Sequence, residues 1–225
     1  MQYPIRINKY LRDQGFASRR EADDLIAAGK VFVNGKRALQ GMLVQSGDAV
    51  ELRGANEKEY QYLAYYKPQG LATQSQEGSE SVIAEWREKG LFPIGRLDKE
   101  SEGLLILTND GRLTTKLLST DSGFEKEYLE KVGEHIRKGI PAILKKGMNT
   151  KTFGRLLPAN AKIIDDRMIS IALREGKRHQ IRVMLAELGY SVKMLKRVRI
   201  GPIKLGKLRP EEARPLSSQE IKLLF

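Results

Sequence analysis

The sequence predicts an α+β protein: a small amino-terminal α/β module followed by a larger sheet domain with flanking helices. Three observations carry this. Two short stretches of helical periodicity precede strand-like runs within residues 5–52; residues 53–59 are polar and lack apolar periodicity; from about residue 60 apolar runs alternate with turns and a few amphipathic helices. A chain of 225 residues can hold a sizeable core and a second module. The boundaries read as a first domain over 1–53, a connection over 54–60 and a second domain over 61–225.

In the first module, Ile7, Tyr10 and Leu11 stand at helical spacing and Gly15 ends that helix. Ser18 and Glu21 form an S-x-x-E capping box for a second helix through Ala22, Leu25 and Ile26 to Gly29. Val31-Phe32-Val33 then meets Asn34-Gly35, a favoured hairpin turn, and Ser46-Gly47-Asp48 leads into a strand over Ala49–Leu52. The module reads as α followed by β.

In the second, Tyr62–Tyr66 is a strand ending at Lys67-Pro68-Gln69-Gly70, and Leu91–Ile94 is a short strand approach. Leu104–Thr108 reads as a buried strand, so the charged turn between them, Gly95–Gly103, is fixed at both ends and can present Asp98 to a ligand. Taken alone, an Asp in such a turn more often bonds local amides than performs chemistry. Glu127-Tyr128-Leu129 is strand-like, with a buried tyrosine as its ordinary reading. Arg178–Arg182 opens a helix whose Ile181, Met184, Leu185 and Leu188 form an apolar stripe, with Gly189 closing it and Arg182 off the stripe.

The composition narrows the function classes. A formal net charge of +12 points to a polyanionic partner. Residues 171–225 hold thirteen Lys or Arg against five acids, +8 of that total, so the polyanionic partner is expected against this region. Residues 1–52 have eight against six, so there the placement of Arg12, Arg19 and Arg20 beside the helix junction matters more than the total. Without cysteine, disulfides and thiolate chemistry are excluded; His135 and His179 stand far apart, against a zinc site. No glycine-rich phosphate loop follows a strand, so no cofactor is expected, and an RNA methyltransferase lacks its cofactor loop. No run of about 18 apolar residues and no secretory signal is present, so a cytoplasmic protein without membrane attachment is expected, with a monomer as the default.

Two sets of motifs carry a resemblance. Arg6–Leu11, Ala17–Ala22 and Val31–Gly35 resemble the S4 RNA-binding domain. Gly95-Arg96-Leu97-Asp98 with Gly103-Leu104-Leu105 and Thr108-Asn109-Asp110-Gly111, a pattern over seventeen positions, closely resembles the signature of pseudouridine synthases that modify ribosomal RNA. Tyr62–Tyr66 with Lys67-Pro68-x-Gly70, Glu127-Tyr128-Leu129, His179–Arg182 and Val198–Gly206 resemble further segments of that family. One departure stands out: the S4-bearing ribosomal branch usually has two arginines after Gln-Ile, and this chain has Arg182-Val183.

The resemblance implies a mixed, mainly antiparallel catalytic sheet and conversion of a specific uridine in ribosomal RNA, preferably of the large subunit, to pseudouridine. Small-subunit or transfer RNA, and a non-catalytic ribosome assembly factor, are the alternatives. It implies Asp98 as the catalytic carboxylate, Tyr128 stacked on a flipped-out base and placed for proton transfer, and Arg182 paired with Asp98. Lys67 and Pro68 would shape the edge of the cleft. Arg12, Arg19, Arg20, Lys67, Arg96, Lys196, Arg197 and Arg199 are the candidate RNA contacts, and ribosomal RNA, free or in assembly particles, is the partner. Attack on C1′, attack on C6 and removal of the 2′ proton are all compatible with a carboxylate at Asp98.

Overall fold

A computed structural model of the chain describes residues 2–54, 59–73, 82–120 and 123–225. It contains two compact units, one of residues 1–60 with 110–113 and one of 61–109 with 114–225. Most of the expected connection, residues 55–58, lies outside the described residues.

The first unit contains β1 (Ile5–Arg6), α1 (Ile7–Asp13), α2 (Arg19–Ala27), β2 (Val31–Val33), β3 (Lys36–Arg37), β4 (Leu43–Val44) and β5 (Val50–Leu52). The capping box forms: Ser18 Oγ accepts from Glu21 N at 3.3 Å and Glu21 Oε2 accepts from Ser18 N at 3.0 Å, satisfying two amides the helix start would otherwise leave bare. Asn34 and Gly35 both take positive φ, 50° and 76°, as a tight turn between β2 and β3 requires. The α-then-β expectation missed β1, a two-residue strand paired with β4. So short a pairing leaves no periodic trace in the sequence.

The second unit runs β6 (Tyr62–Lys67), α3 (Val82–Glu88), β7 (Phe92–Ile94), β8 (Glu102–Thr108), α4 (Arg112–Leu118, which begins in residues grouped with the first unit), β9 (Lys126–Val132), α5 (Ile140–Lys145), β10 (Asn149–Thr150), β11 (Gly154–Arg155), β12 (Asn160–Asp165), β13 (Met168–Leu173), α6 (Gln180–Glu187), β14 (Val192–Ile200), β15 (Ile203–Lys204), β16 (Ala213–Pro215) and α7 (Ser218–Leu224). Its sheet has the order β12-β13-β9-β14-β8-β6-β16, with β15 on β14 and β7 on β8. Every pairing in it is antiparallel except β14 with β8. The fold is therefore α+β with a mixed, mainly antiparallel sheet.

Leu104, Leu105, Ile106 and Leu107 are all completely buried, because β8 is an interior strand covered on both faces. Each such side chain contributes about 1.5–3 kcal/mol by leaving water, which makes β8 a rigid rail for the turn that precedes it. A second core, built on Val132, Ile169, Ile171 and Leu195 of the sheet, receives Ile140 and Leu144 of α5 and Ile181, Met184 and Leu185 of α6. The stripe read from the sequence is the face of α6 that packs.

β14 carries two irregularities, register shifts between Val192 and Met194 and between Arg197 and Arg199. In the regular stretch between them Leu195 and Arg197 both face inward, and Arg197 is 2 % exposed.

Candidate active site

Asp98 sits on the turn between β7 and β8, whose backbone is fastened at several points. Gly95 starts the turn at φ 74°, a conformation that side chains disfavour. The buried Thr73 hydroxyl accepts from Leu97 N at 2.9 Å and donates to Leu97 O at 2.7 Å, clamping the residue before the aspartate from both sides. Asp98 O accepts from Ser101 N at 3.0 Å, and Gly70 N donates to Lys99 O at 2.8 Å. The side chain remains 34 % exposed. Asp110, the other acid of the motif, is completely buried and held by the Arg112 guanidinium at 2.8 Å, so it is a structural ion pair.

Beneath the turn lie two buried cations. Arg197 donates from Nε to Leu104 O at 2.7 Å and from Nη1 to Arg96 O at 3.3 Å, bridging the strand after Asp98 to the backbone before it. Gly103 makes this possible: a β-carbon there would stand 2.3 Å from the Arg197 carbonyl oxygen, so only glycine allows β8 and β14 to approach at that register. Lys67 donates to Pro68 O at 2.8 Å and Leu71 O at 2.6 Å. Burial brings its pKa down to about 8, opposed by the nearby negative charge of Asp98 and aided by Arg197.

Tyr128 enters from the far side of Arg197. In the register of β9 and β14 it stands opposite Arg197, which is itself opposite Gly103, so three strands bring it level with the end of the Asp98 turn. Its half-buried ring touches the core that contains Leu97 as well as the one under α6. Its hydroxyl has no hydrogen-bond partner among the described residues.

The α6 start supplies the remaining groups. His179 is the N-cap in the left-handed region, φ 56°. Its Nδ1 lies 2.9 Å from Asp98 Oδ2, while its Nε2 accepts from Arg178 Nε at 3.2 Å. With Nε2 accepting, Nδ1 carries the proton and donates to the carboxylate. One turn on, Arg182 Nη2 lies 3.5 Å from Glu100 O and 3.4 Å from Ser101 Oγ, and its buried Nε has no acceptor among the described residues.

A turn-borne carboxylate backed by cations, an aromatic ring and an arginine converging from separate elements form a site suited to acting on a planar, flipped-out base. The family described as RNA pseudouridylate synthase matches residues 61–187, and the S4 domain matches residues 5–50. The chain belongs to the RNA pseudouridylate synthase family.

This synthase is 36 % identical to the dual-specificity RNA pseudouridine synthase RluF of Escherichia coli strain K12 over 98 % of its own length and 78 % of that protein's. It is 35 % identical to the ribosomal large subunit pseudouridine synthase B of Bacillus subtilis strain 168, covering 97 % and 95 % of the two chains. A crystal structure of a pseudouridylate synthase superposes with a TM-score of 0.73 at 27 % identity, covering 98 % of this synthase and all of that chain.

Several expectations need correction. Arg182 does not pair with Asp98; its guanidinium reaches the backbone and hydroxyl of the same turn, and His179 takes the carboxylate. Lys67 and Arg197, expected at the RNA-facing surface, are buried and spend donors on backbone carbonyls. Arg199 is tied to Glu127 at 2.8 Å and Glu125 at 3.3 Å, which neutralise it. Arg12 is ion-paired with its neighbour Asp13. Arg19, Arg20 and Arg96 are exposed, and Lys196 Nζ lies 4.7 Å from the Tyr66 ring centre. Tyr128 is half-buried, more open than a core tyrosine. The sequence reading missed His179 and Thr73. His179 lay inside a quoted motif, but its backbone conformation, which swings the ring toward Asp98, has no sequence signal.

Proposed function

We propose that this synthase converts a specific uridine of ribosomal RNA, in the large subunit, to pseudouridine, with Asp98 as the catalytic carboxylate. The observation that carries the reading is the Asp98 turn: rigid in backbone, open at the carboxylate, and faced by His179 and Arg182. The name of the Bacillus subtilis relative supports a ribosomal, large-subunit target.

The reaction breaks the N1–C1′ bond of uridine, turns the base and forms the C5–C1′ bond; the C5 proton is lost and N1 gains one, so the product is an isomer of the substrate. The nucleotide leaves its stack first, at a cost of a few kcal/mol offset by stacking on the Tyr128 ring. Asp98, oriented by its contact with His179, acts on the extruded nucleotide. Arg182, with a free buried N–H, braces the turn and holds the space from which the base has left. The unpartnered Tyr128 hydroxyl is placed to carry the proton. Residues 1–53 act as an RNA-binding module joined through 54–60 to the catalytic domain 61–225, with Arg19 and Arg20 on phosphates. The protein works in the cytoplasm as a monomer.

Purified protein incubated with unmodified ribosomal RNA, free or as assembly particles, and with transfer RNA, tests this by chemical derivatisation and primer extension. A new stop in large-subunit RNA that Asp98→Asn does not produce is the expected result. Tight binding with no stop on any RNA would make it a binding factor.

A further inference from the structure

From His135 to Ile164 the chain holds seven Lys or Arg and no Asp or Glu, although acids make up 28 of its 225 residues. None of these cations belongs to the site above, and all seven are exposed. A solvated protein face normally interleaves both signs. Helix-end stabilisation accounts for only two of them, Lys145 and Lys146 at the carboxyl end of α5.

Measured contacts join this region to the active site. His179, on Asp98, is followed backward by Arg178 and Lys177, and Lys177 Nζ lies 5.5 Å from the Phe153 ring centre. Phe153 is partly buried against the core, which anchors the β10–β11 hairpin. At the hairpin tip Lys151 N donates to both Glu187 carboxylate oxygens, at 3.0 and 3.2 Å. Arg155 Nη2 then donates to Lys146 O at 2.8 Å, tying the hairpin to the end of α5. The acids along the way are occupied: Glu187 by Lys151 N, and Glu175 by Leu157 N, Gln180 Nε2 and Lys177. Lys145, Lys146 and Lys151 have no acidic partner within 4 Å among the described residues.

We propose that the β10–β11 hairpin and the end of α5 form a second RNA track, running from the active site along Arg178, Lys177, Lys151, Arg155, Lys146 and Lys145, that holds the substrate backbone flanking the target nucleotide. This rests on the pseudouridine synthase reading. Like charges crowded on a fixed scaffold repel one another, and a polyanion lying along them relieves that repulsion while releasing its own counterions.

The test is a salt titration of binding to a large-subunit ribosomal RNA transcript, comparing wild type, Lys145→Gln/Lys146→Gln/Lys151→Gln and the corresponding triple Arg variant. Losing three phosphate contacts lowers the slope of log K against log salt by about 2 and weakens binding about tenfold or more at 0.15 M salt, while the Arg variant keeps the wild-type slope. Equal thermal midpoints show that all three proteins are folded. A Gln variant with the wild-type slope and affinity overturns the track. Pseudouridine formation by wild type on the same transcript is scored separately, so failure of the enzymatic reading is distinguishable from failure of the track.

Discussion

His179 Nδ1 lies 2.9 Å from Asp98 Oδ2, and that contact depends on His179 holding a left-handed backbone at the start of α6. His179→Ala removes the hydrogen bond and keeps a β-carbon at positive φ, a strain of about 1 kcal/mol that wild type also carries; His179→Gly removes the hydrogen bond and relieves that strain. Both variants should lose ten- to a hundredfold in kcat, since a carboxylate free to rotate is rarely in position, and Gly should unfold no more easily than Ala. Recovery of activity in the Gly variant would mean that backbone placement, and not the imidazole, is what matters.

Arg182→Ala should keep the fold, since its side chain makes only long contacts to Glu100 and Ser101, and should lose most single-turnover activity. Arg182→Lys should rescue little, because one ammonium cannot reach along the turn as a planar fork does. Full activity in Arg182→Ala with an unchanged thermal midpoint assigns the residue to the surface.

Lys67 gives a pH signature. Its folded pKa of about 8 lies below its ordinary 10.5, so between these values the unfolded chain binds a proton that the folded one has released. Stability contributed by this group therefore rises with pH across that window. The stability difference between wild type and Lys67→Met should shift toward wild type from pH 8 to 10, by an amount on the order of 2 kcal/mol. Denaturant melts at three pH values measure it, and parallel curves would contradict it.

Glu130 is the reverse case. It lies in the core on β9, completely buried, and neither carboxylate oxygen has a hydrogen-bond partner among the described residues; burial raises its pKa well above the ordinary value. Above the ordinary carboxylate pKa the unfolded chain has lost a proton that the folded chain keeps, so this group costs stability progressively as pH rises. Glu130→Val, which suits an interior strand, should stabilise the protein by about 1–3 kcal/mol at pH 7 and by less at pH 4. Equal effects at both pH values would exclude a titrating carboxyl as the cause.

Local patterns, which are short-range and periodic, were legible in the residues. The capping box at Ser18, the Asn34-Gly35 turn, the apolar run of β8 and the stripe on α6 each follow from side-chain spacing within one element. Asp98 was legible in a different way, through a motif and not through physics, since an aspartate in a turn is ordinary.

The sequence by itself determined the fold class, the two-part organisation expected of it, the strands and helices that frame the Asp98 turn, and a surplus of positive charge. Tertiary structure decided where that charge goes. Gly103 lets β14 lie against β8 with Arg197 facing inward, and Lys67 is buried at the end of β6, so two cations predicted for RNA became the floor beneath Asp98. Which residue meets the carboxylate was likewise settled by one positive φ at His179 and by a contact 81 residues apart in the chain. Spacing along a chain records only neighbours within an element, whereas burial and partnership depend on what the other strands bring alongside.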